Sequence, residues 1–146
     1  MPNRPEYMAI WLGVTRVGGV VSLLNTNLAG PSLAHCIDIV APSHIIVAAE
    51  LVDALAAALP EPAGAGRIWV HGPANNRYPR IDLDVARRAG GKLSALGSPP
   101  ASVEDPALYI YTSGTTGLPK AANVSHLRLM QWSHWFAGLM GTGSSD

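Results

Sequence analysis

Apolar residues recur along this chain in two alternating rhythms. Tyr7, Ile10, Trp11 and Val14 fall at i, i+3, i+4 and i+7, the spacing of one helix face, and Gly18 with Gly19 closes the segment. Asn3 with Glu6 three residues on predicts a capping box at its start. "VVSLLN" (20–25) is too short for a helix and apolar on both faces, as buried parallel strands are. "TNLAGP" reads as a loop. After Pro31, "SLAHCIDIVA" returns to the helical rhythm with Leu33, Cys36, Ile37 and Val40 on one side. "HIIVAA" (44–49) predicts a second buried strand, "ELVDALAAAL" (50–59) another helix and "RIWVHG" (67–72) a third strand.

Residues 73–106 are rich in Pro, Gly, Ser and charge, with one short helix at "DLDVARRAG". "ALYIYT" (107–112) is a fourth strand, and Ser125 caps a closing helix, "HLRLMQWSHWFAGLM". Short buried strands alternating with helices predict an α/β fold with parallel-sheet layers and flanking helices. No internal repeat is visible. The chain opens on a helix that continues an α/β alternation. It closes after one whose Trp132, Trp135, Phe136, Leu139 and Met140 need a surface to pack on. Both ends look cut, so the expectation is part of a larger domain.

Composition narrows the class. The chain has 146 residues, enough to bury roughly 68–70% of its unfolded surface. Apolar residues make up 48% and charged ones 14%, which predicts some surface awaiting a covering partner. Ten basic and ten acidic residues cancel, so no broad basic field marks a nucleic-acid binder. One cysteine forms no internal disulfide. The apolar run Met8–Val14 is flanked by Glu6 and Arg16 without a clean cleavage site, and no apolar run reaches about 18 residues. The expectation is a cytoplasmic, soluble chain, with peripheral membrane association through other parts of the protein left open.

The candidate chemistry lies in "YIYTSGTTGLPK" (109–120). A strand runs into Thr112, Ser113, Gly114, Thr115, Thr116, Gly117 and then Lys120. Glycines let consecutive N–H groups converge on an anion, hydroxyls add movable donors, and Lys120 brings a mobile positive charge. Such crowding suits a polyphosphate, held in a loop between a strand and a helix. The P-loop of NTPases is excluded by spacing: Gly114 and Gly117 have two residues between them, and Ala121 follows Lys120. The dinucleotide fingerprint Gly-x-Gly-x-x-Gly is also missing.

Thr-Ser-Gly-Thr-Thr-Gly-Leu-Pro-Lys (112–120), with Tyr111 before it, resembles the signature phosphate loop of the adenylate-forming, or AMP-binding, enzymes: acyl-CoA synthetases, luciferases and peptide-synthetase adenylation domains. "NRPEYMAIWLGVTRVGGVVSLLNTNL" (3–28) resembles the helix–Gly–strand segment these enzymes place before the loop. "NTNLAGPSLAHCI" (25–37) and "YIYTSGTTGLPKAANVSH" (109–126) look like the long- and very-long-chain acyl-CoA synthetases of the fatty acid transport protein group. Residues 60–104 match little.

The resemblance implies that residues 1–146 are part of a large N-terminal AMP-binding domain, with 109–120 as its phosphate loop. It implies ATP and Mg²⁺ as cofactors, and a fatty acid and CoA as substrates. In that family a carboxylate oxygen attacks the α-phosphorus of ATP and releases pyrophosphate; the CoA thiol then displaces AMP to give the thioester. Thr112, Ser113, Gly114, Thr115, Thr116, Gly117 and Lys120 would wrap the β- and γ-phosphates, with no proton-transfer catalyst among them. The family's adenine loop, ribose site, catalytic lysine and most of its acyl-binding wall are not among these residues, so the chain alone is expected not to complete adenylation. Two other readings stay open: a non-catalytic remnant that binds nucleotide or a partner, and a ligase for aryl or amino acids.

Other candidates carry less. His35 and Cys36 are adjacent on a helix and point different ways, which favours a boundary His and a packed Cys over a metal site. His126 and His134 stand about 12 Å apart along a helix, too far to share an ion. His126 opens the helix after the loop, where an ordinary first-turn role outweighs a nucleotide contact. Arg77, Arg80, Arg87, Arg88 and Lys92, relieved by Asp82 and Asp84, read as a solvated face rather than a site for anionic headgroups. Trp132, Trp135 and Phe136 read as core packing rather than an acyl tunnel.

Overall fold

The computed structural model describes residues 1–59, 67–73, 77–91, 101–112 and 118–143. Helix α1 (Pro5–Arg16) leads to strand β1 (Val21–Leu23), helix α2 (Gly30–Val40) and strand β2 (Ile45–Ala48). A 3₁₀ turn (Ala49–Leu51) enters α3 (Val52–Ala58), followed by β3 (Ile68–His71), α4 (Ile81–Ala86), β4 (Pro106–Thr112), β5 (Lys120–Ser125) and α5 (His126–Met140). β1, β4 and β5 form one sheet in that order, with β1 parallel and β5 antiparallel to β4. β2 and β3 pair in parallel as a second sheet. The α/β class with parallel pairing and flanking helices holds.

Local chemistry explains most boundaries. Gly18 takes φ +80°, and Gly18 and Gly19 donate to the carbonyls of Thr15 and Val14, a Schellman closure of α1. A Cβ on Gly19 would stand 2.6 Å from Val14 Cγ1, so the close approach needs glycine here. The expected Asn3–Glu6 capping box is absent. Arg4 occupies the cap without a side-chain bond, because Pro5 takes the first helical position and shifts the start out of reach of Asn3. At α5 the expected cap is present: Ser125 Oγ accepts from the Arg128 amide at 3.4 Å.

The core lies between α2, α3 and the β2–β3 sheet, where Leu33, Ile37, Val47, Val52, Leu55, Ile68 and Val70 interlock. Cys36, Ala107, Leu108 and Val124 are buried where α2 meets the other sheet. β1 is shorter than the expected 20–25 and only half-buried.

Two expectations change. The loop after β4 leads into a strand, not directly into a helix, so the sheet is mixed rather than parallel throughout. Lys-Ala-Ala-Asn-Val-Ser carries little intrinsic strand preference, and β5 exists because β4 offers a long pairing edge. The aromatic stripe of α5 is not core within this chain. The helix has no buried side chain, and Trp135 is 71% exposed. No helix among the described residues is long and apolar enough to cross a membrane.

Candidate functional site

The candidate site sits at the loop end of the β4–β5 hairpin. Thr112 closes β4 and Lys120 opens β5, and the two stand directly opposite each other in the ladder. Both are exposed, and no carboxylate among the described residues pairs with Lys120. A hydroxyl and an ammonium therefore flank one end of a hairpin, free to meet an anion. Ser113, Gly114, Thr115, Thr116 and Gly117 lie outside the described residues.

The strand between loop and helix has a physical consequence. Six residues of β5, at about 3.3 Å each, separate the loop from α5 by roughly 20 Å. The first amides of α5 are already used within the protein. Asp105 O accepts from His126, Val103 O from Leu127, and Ser125 Oγ from Arg128. The α5 N-terminus therefore contributes no donors to an anion at the hairpin. His126 Nε2 is buried there without a hydrogen-bond partner among the described residues, far along β5 from Lys120.

Beneath the hairpin, three side-chain hydrogen bonds among the described residues join it to β1 and α2. Tyr111 Oη donates to the Cys36 carbonyl at 2.5 Å and lies 2.9 Å from Ser22 Oγ. The phenol has one proton, and Cys36 O can only accept, so the Ser22 hydroxyl donates to Tyr111. Burial pushes the Tyr111 phenol above its ordinary pKa, and the Ser22 bond partly opposes this; the phenol stays a donor at neutral pH. On the other stem, His35 Nε2 lies 3.2 Å from the Pro119 carbonyl. A carbonyl only accepts, so the Nε2–H donates.

The remaining candidates fall into place. Cys36 is fully buried and burial raises its thiol pKa, which makes it a packed residue rather than a nucleophile. No cluster of three or more metal-ligating side chains occurs among the described residues. In the basic stretch Arg80 pairs with Asp82, Arg87 with Asp84 at 3.3 Å, and Arg77 sits 5.6 Å from the Tyr78 ring centre. Arg77, Arg87 and Arg88 are exposed, as a solvated face would be, while Lys92 lies outside the described residues. An apolar cavity of about 460 Å³ opens between α1, β1, α2 and β2, walled by Tyr7, Trp11, Leu24, Ile45 and Tyr109. Neither Thr112 nor Lys120 lines it.

The profile of the AMP-binding enzyme family matches residues 1–143. The chain belongs to that family. Human long-chain fatty acid transport protein 3 is 34% identical over 149 aligned residues, which cover 100% of this chain and 22% of that protein. Mouse long-chain fatty acid transport protein 6 is 35% identical, with 91% of this chain and 22% of that protein covered. Among solved structures, ATP-bound MatB from Rhodopseudomonas palustris superposes with a TM-score of 0.69 at 25% identity, covering 93% of this chain and 25% of that one. This AMP-binding chain thus spans about a fifth of the length of the two transport proteins.

Sequence reasoning singled out the loop at 109–120 and its AMP-binding resemblance, but placed a helix where β5 follows. It passed over His35 as a hydrogen-bond donor and Ser22 altogether. His35 and Pro119 are 84 residues apart and Ser22 and Tyr111 are 89 apart, so no local pattern announces either contact.

Proposed function

We propose that this chain is part of an ATP-dependent ligase that activates a long- or very-long-chain fatty acid as the acyl-adenylate and then the CoA thioester. Its share of the work is to hold the polyphosphate of ATP. Thr112, Ser113, Gly114, Thr115, Thr116, Gly117 and Lys120 bind the β- and γ-phosphates, and Mg²⁺ arrives with the nucleotide as its counter-ion. When the carboxylate attacks the α-phosphorus, the bond to the bridging oxygen breaks and negative charge grows on departing pyrophosphate. Donors already aimed at those oxygens stabilise that charge without reorganising. Membership of the AMP-binding family and the names of the relatives support the reading. The observation that carries it is the exposed Lys120 standing opposite Thr112 at the end of the hairpin.

The reading places the chain in the cytoplasm, where ATP and CoA are supplied. A polyphosphate site has a simple signature in the isolated chain: Mg-ATP binds at least about tenfold more tightly than AMP, because each well-placed charged hydrogen bond contributes about 1.5–3 kcal/mol. Calorimetric titration with both nucleotides measures this, and equal affinities would overturn the reading. Fatty-acid-dependent pyrophosphate exchange is expected only from a longer protein that carries the remaining motifs.

A further inference from the structure

The two stems of the hairpin are held by consecutive residues of one helix. Tyr111, next to Thr112 on β4, donates to the carbonyl of Cys36, and Pro119, next to Lys120 on β5, accepts from the ring of His35. From these contacts we infer that His35 is a positioning residue for phosphate binding, acting through the Pro119 carbonyl to fix where β5 begins and hence where Lys120 stands relative to Thr112.

Three features support this assignment. Proline has no N–H to place in the β4–β5 ladder, so residue 119 is tied by its carbonyl or not at all on that side. α2 is itself a fixed support: Leu33, Cys36 and Ile37, on either side of His35, are all buried. Lys120 has a long, flexible side chain with no ion-pair partner among the described residues, so its reach is set by its backbone. A backbone shift of an ångström at the start of β5 is the kind of misplacement that weakens a multi-point anion site. Tyr111 does the same for the β4 stem, with Ser22 holding its phenol in place.

The inference rests on the polyphosphate reading, so its test has one readout with nucleotide and one without. His35→Ala is expected to weaken Mg-ATP about five- to tenfold, the worth of one hydrogen bond. It should also speed hydrogen exchange at the amides of Leu118, Lys120 and Ala121, while exchange in α3 and β3 stays unchanged. His35→Gln places an amide N–H near the position of Nε2 and should restore both to within about twofold of the starting chain. If the Gln variant is as impaired as the Ala variant, or if neither alters exchange at 118–121, His35 is packing and not positioning. If the unaltered chain binds no nucleotide while the exchange pattern responds as described, the polyphosphate reading fails and the stem contact stands.

Discussion

α2, α3, β2 and β3 enclose seven interlocked apolar side chains, whereas α5, fifteen residues long, buries none. Both regions carry large apolar residues. In the first, Ile68 and Val70 are sealed between a sheet and two helices; in the second, Trp135 and Leu139 are 71% and 69% exposed. Stability is therefore unevenly distributed, and the hairpin lies between the two extremes. Its strands pair with each other, β4 pairs also with β1, and α2 holds its stems through polar bonds. The candidate site is thus fastened directly to α2, which buries Leu33, Cys36 and Ile37, while α5 joins the hairpin through β5 and through the Val103 and Asp105 carbonyls just before β4.

The contrast can be broken by mutation. Ile68→Ala removes a side chain that is 1% exposed and should cost about 2–5 kcal/mol in urea unfolding. A loss below about 1 kcal/mol would mean that the core is not where the fold is held. A smaller effect belongs to α4, at the edge of the same sheet. Asp82 accepts from Arg80 and from the Gly72 amide, and the Arg80 bond is the main reason its carboxyl is held at about 2 rather than the ordinary 3.8. A lowered carboxyl pKa stabilises the fold above the ordinary value and loses that contribution as pH falls towards the folded one. Asp82→Asn should then cost about 0.5–1 kcal/mol at neutral pH. The gap from the parent should close between about pH 4 and pH 2, and a gap independent of pH would assign the cost to packing. Smallest of all, Trp135→Ala should change stability by no more than about 0.5 kcal/mol despite removing the larger side chain. A cost like that of Ile68→Ala would show α5 to be packed after all.

The same division explains what could be read in advance. Segments whose structure follows from their own residues were legible: the helix face of α1 with its glycine stop, the buried face of α2, the strands around Ile46, Val70 and Tyr109, and the Ser125 cap. The polyphosphate proposal for 112–120 likewise starts from the composition of that stretch alone. Features made by distant partners were not legible. β5 is a strand because β4 lies beside it, and Ala121, Ala122 and Asn123 give no hint of that. Asn3 looked like a cap until Pro5 took the first helical position. The stem contacts of His35 and Tyr111 depend on α2 lying under the hairpin, which no local spacing encodes. The stripe of α5 has the period of a buried face, but period alone does not supply the surface that would bury it.

In the proposed function, the end of the β4–β5 hairpin holds a polyphosphate through Lys120. The most direct measurement is the dissociation constant of Mg-ATP for the chain beside that of Lys120→Ala. Lys120 is exposed and pairs with no described carboxylate, so the substitution should leave the fold intact. Lys120→Ala is expected to lose about tenfold or more in affinity, eased by neither higher protein concentration nor added AMP. Equal affinities for the two chains would contradict it.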